Sequence, residues 1–246
     1  MLTFFSGFGL GTILLPVFSF FLPVSLAVAA TALVHLINNL FKFLITYKYI
    51  DFGVFVRFGI PAGIASVLGA YLLLNLEGFD ESITFELGAL GSETTLVKLI
   101  IGIVIVFFAL FELMTSFKNF SFQPRWIPLG GILSGFFGGL SGHQGALRSA
   151  FLIKLELKKE TFIATGVAIA ILVDILRLAI YGFALFNLNA LSDTGVGGLV
   201  LSAIIGGIAG ALFGRKLLRA ATLRLVQLIV AALLFLTGLT LIFGVL

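Results

Sequence analysis

The run Ser141-Gly-His-Gln-Gly-Ala-Leu-Arg-Ser149 gathers Ser141, His143, Gln144, Arg148 and Ser149 within an otherwise apolar, Gly-rich stretch. Arg148 offers a permanent charge and a planar fork of donors that suits an oxyanion. Gly142 and Gly145 expose backbone N–H groups where a half-helix begins, and such termini attract anions. Ser141, Gln144 and Ser149 can donate to the remaining oxygens. A second cluster, Thr31, His35, Asn38, Asn39 and Lys42, recurs at spacings of three and four, which is one stripe of an α-helix. A third is Asp174 with Arg177, one helical turn apart. Each has a structural alternative: Lys42 snorkels to an interface, the two Asn hold helices together, Arg148 pairs with Asp174, or Asp174 pairs locally with Arg177. The functional reading makes all three clusters one anion site.

The elements that position these residues follow from composition. Of 246 residues, 60% are hydrophobic and 11% charged, with a mean hydropathy of +1.23, far from the balance of a water-soluble domain. Apolar segments of bilayer-spanning length run at about 2–22, 26–47, 54–76, 96–117, 127–155, 162–186, 196–217 and 223–246. No basic n-region precedes the first segment, so insertion is expected to rely on the helices themselves. The stretch at about 77–95 carries five acidic residues and, as far as Glu93, no base, and reads as a solvated loop. A lysine at membrane depth costs about 2.5 kcal/mol or more, so the Lys42 stripe is expected to face a partner, a cavity or a ligand.

Two halves, 1–117 and 118–246, share co-linear matches. Ser6 to Gly11 resembles Ser134 to Gly139, Asn39-x-x-Lys42 resembles Asp174-x-x-Arg177, and Gly63-Ile-Ala65 resembles Gly207-Ile-Ala209. If every segment crosses, basic loops fall on both faces, against the positive-inside rule. If the first and fifth segments dip in and return, the basic loop residues share one face and the acidic loop and Asp193 share the other. Each half then has a re-entrant or broken hairpin plus three crossings, and the odd number inverts the second half relative to the first. Gly7, Gly9, Gly11 and Pro16 in one hairpin, and Gly138, Gly139, Gly142 and Gly145 in the other, are expected to turn the backbone. The fold class is an all-α polytopic membrane protein of two inverted-topology repeats.

Several function classes drop out. With no cysteine there are no disulfides and no thiolate metal sites, two histidines are too few for a convincing metal centre, and no cofactor is expected. The net charge of +4 reflects membrane topology rather than nucleic-acid binding. Gly7-x-Gly-x-Gly11 has neither the preceding strand nor the following acid of a nucleotide fingerprint. Gly206, Gly210 and Gly214 read as a small-residue stripe for helix packing, and a homo-oligomer is compatible with it. An intramembrane enzyme needs a nucleophile and base or paired acids at depth, and only Asp174 is offered, so the chain is read as no enzyme. A non-transporting scaffold held by polar stripes is the other alternative.

Ser6-Gly-Phe-Gly-Leu-Gly11 followed by Pro16, the helix Ala30-Thr-Ala-Leu-Val-His35-x-x-Asn38-Asn39, and the Gly-rich run Ser134 to Gly145 together resemble the sulfite exporter TauE/SafE family. The resemblance covers almost the whole chain. It implies a multi-pass protein of a bacterial or archaeal inner membrane whose partners are the lipid bilayer and a small anion, sulfite or an organosulfonate such as sulfoacetate. Many members carry Gly-Gly-Gly-x-x-x-x-Pro in both halves; here His143-Gln144-Gly145 is followed by Arg148-Ser149 without the proline.

Overall fold

The structure is a computed structural model describing residues 10–79, 82–87, 90–114, 122–187, 194–217 and 223–246. Nine helices are described: α1 Leu10–Ser19, α2 Val24–Thr46, α3 Phe52–Glu77, α4 Leu96–Met114, α5 Ile127–Ser141, α6 Gly145–Leu152, α7 Lys159–Asn187, α8 Thr194–Leu217 and α9 Leu223–Ile242. Val24–Tyr49, Phe52–Glu77 and Lys159–Gly182 are long and apolar enough to cross a membrane, and shorter apolar helices occupy Leu96–Phe111, Gly195–Gly210 and Leu228–Ile242. Large apolar side chains such as Leu44, Ile64, Tyr71 and Ile205 lie outside, while Lys42, Asp174 and Arg177 lie inside. That inversion of the soluble pattern is what a hydrocarbon solvent imposes.

Two helix pairs run antiparallel. In α2 and α7, His35 meets Asp174, and beyond the end of α2 the Asp51 N–H donates to Thr165 Oγ1, so the chain ascends one helix as it descends the other. In α4 and α9, Gly102 and Gly238 allow the backbones to touch, and Thr94, just before α4, donates to the Leu241 carbonyl. By contrast, α3 and α5 run parallel through a zipper of small residues. Cβ atoms added at Gly131, Gly135 and Gly139 would come 2.3, 2.0 and 2.0 Å from the carbonyls of Phe58, Ala62 and Ser66. Spacing of four on both helices lets the backbones meet along one ridge. A π-helical turn at Phe55–Gly59 precedes Pro61, whose ring nitrogen cannot donate to the Arg57 carbonyl.

The fifth apolar segment doubles back. A straight helix would separate Gly130 from Phe151 by about 31 Å, yet a Cβ on Gly130 would sit 2.3 Å from the Phe151 ring, and Phe122 stacks on Phe151 at 4.0 Å. The reversal is made by Gly142, whose φ of 82° is readily adopted only without a Cβ, and by His143 and Gln144. Its tip reaches only the middle of the bundle, because Gly139, just before it, abuts Ser66 near the centre of α3.

Three expectations are corrected. Pro16 lies within a continuous α1, and Gly11 is helical; the turn follows at Phe20–Pro23, while Gly7 and Gly9 lie outside the described residues. Gly11 instead packs beside Thr31, His35 and the Gly142 carbonyl. The acidic stretch is not a plain loop: Ser82–Leu87 pairs antiparallel with Leu90–Thr95, so the fold is helical with one added hairpin. Ladder bonds satisfy backbone groups that a loop would leave to water. Finally, Gly206 and Gly210 face open space, and the glycines that zip helices together are those of α5.

Candidate functional site

The three polar clusters are brought to the middle of the bundle by α2, α7 and the α5–α6 turn. Thr31, His35, Asn38, Asn39 and Lys42 are all buried on the inner face of α2, none more than 6% exposed. Spacing of three and four keeps them on one face, and the outer face carries Leu40, Leu44 and Ile45.

Asp174, fully buried, is the hub. Its Oδ1 accepts from Arg177 Nη2 at 2.7 Å and Nε at 3.0 Å, and from Gln144 Nε2 at 3.2 Å. Its Oδ2 lies 2.6 Å from His35 Nδ1. Since a carboxylate only accepts, Nδ1 carries the proton of that contact, and the Asn39 amide nitrogen lies 3.2 and 3.3 Å from the two ring nitrogens. Arg177 completes its bonding by donating from Nη1 to the Gly138 carbonyl at 2.8 Å. Tyr181, one turn further along α7, donates to the Gly139 carbonyl. Two of the last carbonyls of α5, that of Gly139 and that of Gly138, which also accepts from the Gly142 N–H, are thus capped from α7. Of the two partners weighed for Asp174, the local Arg177 is the one it has. Both oxygens of Asp174, expected at the substrate, are engaged within the protein.

Arg148 stands differently. Its one hydrogen bond is a long one, 3.5 Å from Nη1 to the neutral Gln144 Oε1, and no carboxylate pairs with it among the described residues. Its guanidinium lies against Gly166 of α7, where an added Cβ would come 3.4 Å from Nε. Lys42 is close enough for the two charges to repel. Because α2 and α7 are antiparallel, Lys42 and Gly166 lie on the same side of the His35–Asp174 contact, toward Lys48 and Asp51. The centre therefore has two layers: one of His35, Gln144, Asp174 and Arg177, in which the carboxylate is paired, and one that holds Lys42 and Arg148.

The other expected residues divide. His143 stacks on Phe108 at 5.3 Å with Nδ1 near the Ser141 carbonyl and hydroxyl, and Ser141 itself donates to Phe137. Ser149 is half-buried on α6, one residue after Arg148. Gly142 supplies the left-handed turn and Gly145 opens α6. Among the described residues, three buried side-chain atoms have no hydrogen-bond partner: Thr31 Oγ1, Asn38 Oδ1 and His143 Nε2. Orphans of this kind are rare enough to require a reason. Three contributors escaped the sequence reading. Tyr181 shares a helical stripe with Asp174 and Arg177, a legible signal, and Ser134 donates to the Gln144 carbonyl at 2.8 Å to brace the turn. Phe108 left no signal in an apolar helix.

The family model described as Sulfite exporter TauE/SafE matches residues 1–241, and the chain belongs to that family of membrane transporters. No curated protein and no solved structure matches the chain.

Proposed function

We propose that this member of the TauE/SafE family exports sulfite or an organosulfonate such as sulfoacetate across the inner membrane, and that Arg148 with Lys42 forms its binding site. The observation that carries the reading is Arg148: a guanidinium with no carboxylate hydrogen-bonded to it among the described residues, while both oxygens of Asp174 are engaged by Arg177, Gln144 and His35. A charge at such depth is costly unless neutralised, and a bound anion neutralises it. Lys42, brought close despite repulsion, strengthens the same conclusion. Gln144 and Ser149 supply donors for oxygens that the cations leave open.

Alternating access is supported by the helix arrangement. In the order of the two halves, α2 corresponds to α7 and α4 to α9, and each pair is antiparallel, as an in-plane pseudo-two-fold requires and a parallel duplication forbids. The halves 1–117 and 118–246 then rock against each other across the His35–Asp174 contact. Among the described residues, Lys48, Arg57, Arg125, Lys154 and Lys158 share one end of the molecule, which we assign to the cytoplasm. An anion leaving a negative-inside cell gains about 2.3 kcal/mol per charge per 100 mV, so export needs no coupled ion.

The test is flux of labelled sulfite and sulfoacetate in proteoliposomes. Arg148→Lys is expected to impair flux while the protein stays folded, because a point charge cannot reproduce a two-pronged contact, and Arg148→Ala is expected to be worse. Wild-type flux in both variants would remove Arg148 from the site, and absence of flux of either anion in the wild type would refute the substrate.

A further inference from the structure

On the outer side of the α2–α7 contact, away from the ion network, lies a groove of about 330 Å³. Leu40 and Phe43 of α2, Ile50 and Phe52 at the start of α3, and Ala168 and Leu172 of α7 form its walls, which are almost wholly carbon. Its size falls within the range of ligand sites, about 300 Å³ and above. It opens where Leu40, Phe52 and Ile175 are 43, 71 and 50% exposed, on the side that the helices turn to hydrocarbon. A polar solute gains nothing there, whereas an alkyl chain gains burial on three sides.

The chemistry at the end of the groove selects among alkyl-bearing molecules. Ile50 and Phe52 sit where α2 gives way to α3, and exposed Lys48 precedes them by only a few residues, its ammonium 5.9 Å from the Tyr47 ring. Arg57, Lys158 and Lys159 are exposed at the same end, which the Asp51–Thr165 hydrogen bond ties to the start of α7. Asp51, the nearest acid in sequence, has its carboxylate occupied in capping the Val54 N–H. An apolar slot ending in a basic rim at headgroup level is the pattern that holds an anionic lipid.

We propose that this groove binds an acyl chain of an anionic phospholipid, with the phosphate held by Lys48 and the neighbouring cations. Leu40 adjoins Asn39 and Ile175 adjoins Asp174 in the chain, so the lipid grips α2 and α7 at the level of the His35–Asp174 bond. Occupancy thus props the helix pair whose separation alternating access requires. The site itself does not depend on which anion is carried.

Native mass spectrometry of the full chain, exchanged against phosphatidylglycerol or phosphatidylcholine of identical acyl chains, tests it. The wild type is expected to retain phosphatidylglycerol over phosphatidylcholine by about fivefold for each rim cation engaged. Ala168→Phe fills the groove and is expected to abolish preferential retention, and Lys48→Glu to abolish the preference for phosphatidylglycerol while phosphatidylcholine still binds. Should Ala168→Phe fail to fold, Leu40→Gln makes the same test from the exposed mouth. Equal retention of the two lipids by the wild type, or wild-type retention by a folded Ala168→Phe or Leu40→Gln protein, overturns the proposal.

Discussion

Replacing Asp174 by Asn and, separately, Arg148 by Gln sets a fully buried charge against a half-buried one that differs in what it is bonded to. Asp174→Asn removes the charge that holds Arg177 at 2.7 and 3.0 Å and the acceptor of the 2.6 Å bond to His35. Arg177, fully buried, then keeps only neutral acceptors, the new amide oxygen and the Gly138 carbonyl, with no counter-charge. Breaking a buried pair in this way costs about 3 to 5 kcal/mol. For a chain of this size that corresponds to a fall in Tm of about 6 to 20 °C. Arg148→Gln loses one 3.5 Å bond to a neutral amide, worth no more than about 1 kcal/mol, and gives up the attraction of Asp174 while relieving the repulsion with Lys42. Its Tm is therefore expected within about 3 °C of wild type, with sulfite flux lost. Thermal unfolding followed by size-exclusion chromatography in detergent, beside flux in proteoliposomes, reads both quantities. The double variant Asp174→Asn/Arg177→Gln should recover much of the stability lost by Asp174→Asn alone. If Arg148→Gln destabilises the fold as much as Asp174→Asn does, Arg148 belongs to the structural network and the two-layer reading of the centre is refuted.

Glycine substitutions should divide by environment. Gly135→Leu drives side-chain atoms into the Ala62 backbone and is expected to abolish folded protein in a detergent-stability screen, whereas Gly206→Ala, facing open space, should leave Tm unchanged or raise it by the helix propensity gained, about 1 kcal/mol. Gly142→Ala, forced to a φ of 82°, should lower stability by about 1 to 2 kcal/mol, measured as a Tm shift. Tyr181→Phe deletes the cap on the Gly139 carbonyl and should cost about 1 to 3 kcal/mol by the same assay. With no native cysteine, single thiols at Lys48, Arg125 and Lys158 should label from one membrane face and one at Thr84 from the other; labelling of Lys48→Cys and Lys158→Cys from opposite faces would restore an all-crossing arrangement.

Helix placement was legible in the sequence because the bilayer imposes a local requirement, about 20 apolar residues per crossing. Segments read at 26–47, 54–76 and 162–186 correspond to α2, α3 and the apolar body of α7. The burial of the Thr31 to Lys42 stripe was equally legible, since spacing of three and four puts polar groups on one face that hydrocarbon will not solvate. Where short-range order stopped, legibility stopped too. The Ser82–Thr95 hairpin was hidden by acidic composition, although Ile83, Phe85 and Leu87 alternate. The roles of glycines were exchanged: Gly206 and Gly210 have packing spacing but no opposing backbone, and Gly131, Gly135 and Gly139 zip because α3 presents Phe58, Ala62 and Ser66 in register. Partner choice at the centre was undecidable from the chain alone, as Asp174 had two arginines to choose from. Tertiary structure decided it: antiparallel packing of α2 on α7 delivers His35 to one carboxylate oxygen while Arg177, already one turn away, takes the other. Arg148, aligned instead with Gly166, makes no direct contact with a carboxylate among the described residues. An ion pair at depth depends on a few ångströms of three-dimensional approach, and residue order specifies those ångströms only within a helix.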